Sequence, residues 1–496
     1  MYRFKCEFCG SLLEHQRDIS GMRIQCGNCD KKFNAVLYAV PDKLTCTEGG
    51  VKESFNSPRK THKSRALKNK QFPVFIFLSV CVAICIALVM SFNNMSKDNG
   101  EVKELEIVTN EKMKHVRPPK YQDSKYQSYL KDACAFYGLL RAEKGLYLDL
   151  ITIPQKEDYR VSTASTGIGL VALAISAELS FDNEVEPKII ETLETCLAKT
   201  SGIHLKRNKS GLFYHFIDAR DGGRWGKSEF STIDTALLVA GATFCRNQFP
   251  DNKKIQSLTQ ELWDSVNWEL CRFDDHHYYL TQDEHGVGGA KTRLFNEYLL
   301  LADYVSFSLN EKETDMNQAW RKKFYKDHGV ITDSPGHFLP LFTFQFPLYL
   351  SPYRVKDPVF IKESLQAMKV DRMWWYDQLS KKGLWGSSAG ASIRGYGVDS
   401  TERNSDMVLC MPSVGGFIPF ATQAELDFDI LLNNKDLIYE LNGLRIPWRA
   451  SYRKTEWRAR AIQGIDFSPL LFGLAGHESA LGLEYFAQKS KLTYRR

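Results

Sequence analysis

The densest group of potentially reactive side chains lies between residues 211 and 241. An aromatic run from Phe213 to Phe216 leads into a loop of acidic and basic residues, and Glu229 and Asp234 follow it. Aromatic faces can lie against a sugar ring, arginine and aspartate can bond sugar hydroxyls, and carboxylates can transfer protons. The segment therefore predicts a carbohydrate site with Glu229 and Asp234 as catalytic residues. The predicted sugar contacts within it are Tyr214, Arg224 and Trp225.

A third acid, Glu297, is the preferred member of a catalytic carboxyl pair. It precedes the apolar run 298–305, so it can project from a rigid helix start into a cleft. A carboxylate that only interacts with the helix dipole explains the same position. Asp234 has a comparable alternative, because Ser231, three residues earlier, forms a possible capping box with it. Trp225 has the alternative of a core residue.

Other polar residues in apolar surroundings are less specific. Gln345 lies in an aromatic stretch and needs a hydrogen-bond partner, which is either a sugar or the backbone. His215 and His337 have no second histidine at metal-ligand spacing, so we expect no cofactor in catalysis. The net charge of +6 is modest, and basic residues are not concentrated in the C-terminal part, so no nucleic-acid partner is expected there.

The elements that must position these residues are mainly helical. Apolar residues recur at three- and four-residue intervals in nine segments, whereas convincing strand alternation is scarce. Helices in pairs with functional loops at one end predict an α/α toroid, although periodicity does not distinguish it from another large helical fold. The predicted helices are 126–141, 167–179, 186–199, 232–247, 254–268, 292–309, 317–328, 358–380 and 470–488.

The N-terminal 40 residues carry two cysteine pairs with zinc-ligand spacing. Cys6 and Cys9 form one pair, Cys26 and Cys29 form the other, and sixteen residues separate the pairs. Four thiolates in two tight turns complete a closed tetrahedral zinc site, and the metal would supply most of the stability of so short a segment. This predicts a structural zinc ribbon at 1–40, similar to the finger-like modules at the N-termini of many bacterial membrane proteins, with an unknown cytoplasmic partner.

A membrane anchor is predicted after this ribbon. A basic linker (41–71) precedes residues 72–92, which contain no charged side chain and are long enough to cross a hydrocarbon core of about 30 Å. The basic flank predicts a cytoplasmic N-terminus in the inner membrane, with a stalk (93–118) and a large domain (119–496) in the periplasm or outside the cell. Cys134, Cys196, Cys245, Cys271 and Cys410 lack disulfide-like spacing, so we expect them to be buried apolar residues.

The large domain resembles the glycoamylase-like family, which includes endo-β-1,2-glucanases and a domain of cyclic β-1,2-glucan synthases. The similarity is carried in order by GL…D at 145–149, ASTGIGL at 164–170, GLFYHFID at 211–218 and SEFSTIDTALLVAG at 228–241. It continues through Asn296-Glu297, WG…GYG at 385–397 and GID at 464–466. The resemblance implies a single (α/α)6 barrel and hydrolysis of a β-glucan by Glu297, Asp234 and Glu229. It also implies substrate contacts at Asp149, Trp385, Tyr396, Asp406 and Asp466.

The chain departs from the family pattern at several positions. The family has an aspartate where this chain has Ala389-Gly390-Ala391, and Ser231 stands where the glucanase branch has another acid. Two hypotheses follow. The first is a membrane-anchored glycoside hydrolase that cleaves a β-glucan of the β-1,2 type or a related glycan. The alternative is a catalytically inactive carbohydrate-binding protein that signals through its zinc ribbon.

Overall fold

The computed structural model describes residues 125–293, 295–311 and 320–495, together with four short N-terminal strands. The chain divides into a unit of residues 1–98 and a unit of residues 99–496. In the first unit, β1 (Tyr2–Lys5) pairs antiparallel with β2 (Leu12–His15), and β3 (Arg23–Gln25) pairs antiparallel with β4 (Lys32–Asn34). The cysteines of the predicted zinc ribbon lie outside the described residues.

The predicted membrane segment, 72–92, also lies outside the described residues. Within the ranges given above, no helix combines the length and apolar character that a membrane span requires.

The second unit is mainly helical, which confirms the predicted class. Its described α-helices alternate along the chain between an outer and an inner position, apart from α6 and α7, which are both inner. They are α1 (Lys125–Leu140), α2 (Thr163–Glu178), α3 (Val185–Cys196), α4 (Thr232–Gln248), α5 (Lys253–Asp264), α6 (Leu299–Ser308), α7 (Phe342–Leu350), α8 (Pro358–Leu379), α9 (Met411–Gly415), α10 (Thr422–Leu432), α11 (Gly464–Gly476) and α12 (Gly482–Lys489).

Helices α2, α4, α6, α7, α9 and α11 form the inner ring. Successive members pack against each other except α7 and α9, and α11 returns to pack against α2. Between α7 and α9 the ring is joined by side chains, because Gln345 Nε2 donates to the Ser413 carbonyl and the Tyr349 hydroxyl donates to the Gly416 carbonyl, each at 2.7 Å. The outer helices α1, α3, α5, α8, α10 and α12 each pack on an inner neighbour.

Sequence explains which helices are inner and which are outer. Helix α2 is apolar around its whole circumference and is buried from Thr163 to Ser176, as expected for a helix with neighbours on every side. Helix α5 buries only Ile255, Leu258, Thr259, Leu262 and Trp263, which form the single stripe of an outer helix. All five cysteines of the domain outside the predicted anchor are buried and free, as predicted.

Glycines allow the inner helices to approach closely. A Cβ on Gly241 of α4 would lie 2.0 Å from the backbone oxygen of Gly167 on α2. A Cβ on Gly473 of α11 would lie 1.9 Å from the oxygen of Gly415 on α9. Neither distance is compatible with a side chain, so these backbones are in direct contact.

Small antiparallel sheets line the end at which the inner helices begin. β6 (Arg160–Ser162) leads into α2, β8 (Phe230–Ser231) into α4, β17 (Val408–Cys410) into α9 and β21 (Ala461–Gln463) into α11. The remaining strands are β5 (Leu150–Thr152), β7 (Phe216–Asp218), β9 (Arg272–Asp274), β10 (His277–Tyr279), β11 (Thr281–Gln282), β12 (Lys291–Arg293), β13 (Arg321–Tyr325), β14 (His328–Thr332), β15 (Ala389–Ser392), β16 (Gly395–Val398), β18 (Ile438–Leu441), β19 (Leu444–Pro447) and β20 (Arg449–Ser451).

Three predicted helices are wrong in detail. The segment 470–488 covers the end of α11, a break at 477–481 and most of α12. The described part of segment 317–328 contributes to the antiparallel hairpin β13–β14. Lys322 pairs with Glu363 and Lys323 pairs with Glu402, so contacts with other elements favour the strand. The helix predicted at 292–309 begins only at Leu299, because 291–293 is strand β12.

Candidate active site

Carboxyl side chains collect at the end of the ring where the inner helices begin. Asp234 and Asp466 lie in the first turns of α4 and α11, and Glu297 lies in the turn before α6. Asp149 precedes β5, and Glu229 precedes β8. These five predicted residues therefore belong to one region of the molecule, although they are far apart in the sequence.

The possible capping box of Ser231 and Asp234 is half formed. The Ser231 hydroxyl oxygen accepts the Asp234 amide at 3.2 Å, but the Ser231 amide donates to the Phe213 carbonyl at 3.0 Å and not to the Asp234 carboxylate. The same hydroxyl donates to Oδ2 of the Asp234 carboxylate. The other oxygen, Oδ1, lies 3.7 Å from His215 Nε2. The Asp234 side chain is thus fixed at the helix start, with one oxygen directed at His215.

His215 links two of the predicted catalytic carboxylates. Its Nδ1 lies 3.1 Å from Glu229 Oε1, and its ring stacks on Phe216 with centroids 3.8 Å apart. Burial alone would lower the pKa of this imidazole, but the negative charges of Asp234, Glu229 and Asp149 outweigh it and raise the pKa to about 9. The hydrogen bond from His215 in turn lowers the pKa of Glu229.

Glu297 has the opposite electrostatic environment. Burial raises its pKa to about 7, and the negative charges of Asp333 and Asp234 add to this effect. The turn that carries Glu297 is held by Asn296, which donates to Thr292 Oγ1 and accepts the Tyr298 amide at 3.1 Å. Glu297 directly precedes Tyr298, the N-cap residue of α6, so it lies within reach of the helix dipole and both interpretations of this acid fit its position.

Sequence reasoning missed two residues of the site. His215 was considered only as a metal ligand, although its place beside three acids is what determines its charge. Asp333 was not selected; it follows β14, lies 3.1 Å from His337 Nε2 and raises the pKa of Glu297. The available signal was the acid–histidine spacing Asp333-x-x-x-His337 next to an apolar run. Among the described residues, no group of three or more His, Cys, Asp or Glu side chains could hold a metal ion.

Asp466 occupies a second, more enclosed part of the region. It is 4% exposed, and burial raises its pKa to about 7 against the opposing effects of Arg449 and Tyr396. The Tyr396 hydroxyl donates to Asp466 Oδ1 at 3.1 Å, while Oδ2 has no hydrogen-bond partner among the described residues. The Tyr396 residue itself is 58% exposed and lies on the hairpin β15–β16. An exposed aromatic residue therefore covers a buried carboxyl group.

Asp149 connects the two parts. Its Oδ2 lies 2.9 Å from Arg160 Nη2. Burial raises the pKa of Asp149, and Arg160 and His215 act against that rise. Its negative charge contributes to the raised pKa values of both His215 and Asp466.

A buried cation lies beside the segment where the family pattern has an acid. The Arg449 guanidinium donates to the carbonyls of Ser388, at 2.8 Å, and Ala389, and pairs with Asp399 at 2.6 Å. A Cβ on Gly390 would lie 2.8 Å from Arg449 Nη1. The segment that lacks the carboxylate is therefore packed against a fully buried arginine.

The predicted sugar contacts differ in accessibility. Arg224 is exposed, Trp225 and Asp406 are half-buried, and the ring of Tyr214 is buried against Phe230 with centroids 3.9 Å apart. Asp406 Oδ1 lies 3.4 Å from Lys454 Nζ.

Two of the predicted contacts are interior residues. Gln345 is fully buried and its amide joins α7 to α9, which fits the backbone alternative rather than a sugar contact. Trp385 is also fully buried, and its indole N–H donates to Asp427 at 2.8 Å. Both are therefore corrected from substrate contacts to residues that stabilise the fold.

Solved structures share this fold. No family model and no curated protein sequence matches the chain. An endo-β-1,2-glucanase from Chitinophaga pinensis in complex with sophorotriose and glucose superposes with a TM-score of 0.61 at 14% identity, covering 73% of this chain and 94% of that one. A β-1,2-glucanase from Parabacteroides distasonis superposes with a TM-score of 0.57 at 14% identity, covering 74% of this chain and 59% of that one. An endo-β-1,2-glucanase from Talaromyces funiculosus in complex with sophorose superposes with a TM-score of 0.50 at 11% identity, covering 71% of this chain and 84% of that one.

Proposed function

We propose that this protein is a membrane-anchored, extracytoplasmic glycoside hydrolase that cleaves a β-glucan of the β-1,2 type or a related glycan. The observation that carries the proposal is that one acid of the site has a raised pKa and another has a lowered pKa. Glu297 has a pKa raised to about 7 by burial, whereas the Glu229 carboxylate beside His215 has a lowered pKa. Glycoside hydrolysis needs one protonated and one ionised carboxyl group at the scissile bond.

The chemistry assigns complementary roles to these groups. Glu297 gives its proton to the glycosidic oxygen as the bond to the anomeric carbon breaks. An ionised carboxylate, Asp234 or Glu229, either removes a proton from the attacking water or attacks the anomeric carbon itself. Water supplies the hydroxyl of the new reducing end in either case. Arg224 and Trp225 at the rim, and the exposed ring of Tyr396, supply surfaces for sugar rings and hydroxyls.

Shared fold supports the substrate class. The solved glucanases that superpose on this chain include complexes with sophorotriose and sophorose, and the acids of this chain lie where inner helices begin. The (α/α)6 barrel is the architecture that the resemblance implies for this activity.

The anchor and the zinc ribbon belong to the same proposal. The uncharged segment 72–92 follows a basic flank, which supports a single span with a cytoplasmic N-terminus. In the sequence, Cys6 and Cys9 come between β1 and β2, and Cys26 and Cys29 come between β3 and β4. Four thiolates suit a structural zinc ion, which would hold the two hairpins together.

The experiment is a hydrolysis screen with the full-length chain purified in detergent. Linear and cyclic β-1,2-glucans and β-1,3-, β-1,4- and β-1,6-glucans are incubated with the protein, and new reducing ends are measured. We expect release from β-1,2-glucan and none from the Glu297→Gln variant. Glu425→Gln, on outer helix α10, is the matched control and retains activity. Absence of new reducing ends on every glucan contradicts the proposal.

A second candidate is supported by Arg449. A buried arginine packs against the segment where the family has an aspartate, and this favours a protein that binds glycan without cleaving it. Calorimetric binding of β-1,2-gluco-oligosaccharide without turnover would establish that function, and the zinc ribbon would then report binding to a cytoplasmic partner.

A further inference from the structure

His215 is held rigidly by its backbone and by its ring. Its amide donates to the Glu229 carbonyl at 2.9 Å, and its carbonyl accepts the Thr163 amide, at the start of α2, at 3.1 Å. The ring lies flat on Phe216. Both ring nitrogens then face carboxylates, Glu229 on one side and Asp234 on the other. The orientation of this side chain is therefore fixed before any ligand binds.

The groups around His215 are predominantly acidic. Glu229 and Asp234 face its two nitrogens, and the negative charge of Asp149 also raises the pKa of the imidazole. The nearby cations act on individual acids, because Arg160 pairs with Asp149 and Arg224 contributes to the lowered pKa of Glu229. Three acids around one imidazole favour the doubly protonated ring, in which both nitrogens donate hydrogen bonds.

We propose that His215 is a positioning residue for the reaction, a fixed imidazolium that holds the Glu229 carboxylate ionised and keeps the side chains of Glu229 and Asp234 in place while Glu297 supplies the proton. The inference rests on the proposed function. The pKa of about 9 supports it, since an imidazolium that keeps its proton at neutral pH organises charge rather than transferring protons. The imidazolium of His215 thus supplies beside the carboxylates the positive charge that a bound metal ion supplies in other sites.

The proposal assigns His215 a measurable effect on the acid limb of the pH profile. His215→Gln keeps a hydrogen-bond donor but removes the charge, so the Glu229 carboxylate should take up its proton at higher pH. We expect the acid limb of kcat/KM to move upward by about one pH unit, so that kcat/KM falls by up to about tenfold on the acid side of the limb and changes little at pH 7, with KM changed by less than about threefold. His477→Gln is the matched control, because His477 lies 3.6 Å from Glu425 just beyond the other end of α11.

A second measurement is independent of turnover. The full-length chain with ¹⁵N-labelled histidine is titrated by NMR, and the signal of His215 is identified by its loss in His215→Gln. We expect both ring nitrogens to stay protonated up to pH 8, and the Asp234→Asn and Glu229→Gln variants to release the proton at lower pH.

The two measurements separate the possible failures. A neutral His215 ring at pH 7 overturns the inference whether or not the protein hydrolyses glucan. An unmoved acid limb in an active His215→Gln variant also overturns it. A charged ring in a protein that cleaves no glucan leaves the imidazolium in place but contradicts both hydrolysis and the positioning role assigned to it.

Discussion

The acids of this site lie in two regions with contrasting surroundings. Around His215, Glu229 and Asp234 share a cation, and the pKa of Glu229 is lowered. Around Asp466, burial dominates, one oxygen accepts from Tyr396, the other has no partner among the described residues, and the pKa is raised to about 7. The same residue types at the same end of the helices thus adopt different protonation states. What differs is the nearest cation and the access of water.

The largest expected effect of a substitution is at Glu297, whose raised pKa contrasts with the lowered pKa of Glu229. Glu297→Gln preserves size and hydrogen bonding but removes the proton, so turnover should fall by about 10²–10⁴-fold. Oligosaccharide binding should survive, and the melting temperature should change little. Turnover, calorimetric binding and melting temperature are measured on the same preparation. Near-normal turnover with a lowered melting temperature would assign Glu297 to folding rather than catalysis.

The pH dependence of hydrolysis tests the same difference without a mutation. Glu297 must carry its proton to act as the acid, and its pKa is about 7. The value of kcat/KM should therefore decrease as the pH rises through about 7, approaching tenfold for each further unit. Steady-state rates on β-1,2-glucan between pH 4 and pH 9 provide the profile. A plateau that extends to pH 9 is incompatible with Glu297 as the proton donor.

Asp466 should change stability in a pH-dependent way. Because folding raises its pKa from about 4 to about 7, its contribution to stability is complete below about pH 4 and is lost as the pH rises through about 7. Asp466→Asn removes this ionisation, so the variant should be more stable than the parent at pH 8 by about 1–3 kcal/mol. Melting curves at pH 5 and pH 8 measure the difference. An equal effect at both pH values would show that Asp466 is ionised throughout.

Tyr396→Phe gives the smallest expected effect. It removes one hydrogen bond to Asp466 and should lower stability by about 0.5–1.5 kcal/mol. Because that bond favours the ionised carboxyl, its loss should move the Asp466 pKa further upward and shift the stability profile to higher pH. Melting temperatures over the same pH range, compared with Tyr376→Phe on α8, check this. A stability profile that does not shift with pH would show that the Tyr396 hydrogen bond does not affect the ionisation of Asp466.

Local sequence patterns predicted the helices that have clear cap residues and a regular spacing of apolar residues. The structure has helices at Thr232–Gln248 and Pro358–Leu379, within a residue of prediction, because cap residues and apolar periodicity agree there. Helix α7 was missed because FTFQFPLYL is continuously apolar and aromatic and carries no period. The hairpin β13–β14 was misassigned although its strands are neighbours in the sequence, because the acids that pair with Lys322 and Lys323 lie 41 and 79 residues further along the chain.

The site was predicted in its residue types better than in its geometry. The choice of Glu229, Asp234 and Glu297 followed from acids next to aromatic residues and helix starts, and the structure brings all three to one end of the ring. Trp385 and Gln345 were assigned to the substrate because an aromatic or polar type does not reveal the direction of a side chain. The role of His215 depends on acids at three separate positions, so no local pattern contains it.

The shared direction of the inner helices has a consequence for the acids of the site. Each helix start carries about half a positive elementary charge, so the mouth of the ring has a background polarity that does not depend on particular side chains. An acid gains from this background at any of the helix starts. Asp234 and Asp466 lie in the first turns of α4 and α11, and Glu297 lies just before α6, so all three acids are within reach of this background. The scaffold itself therefore acts on the charge of each acid, in addition to the neighbouring side chains described above.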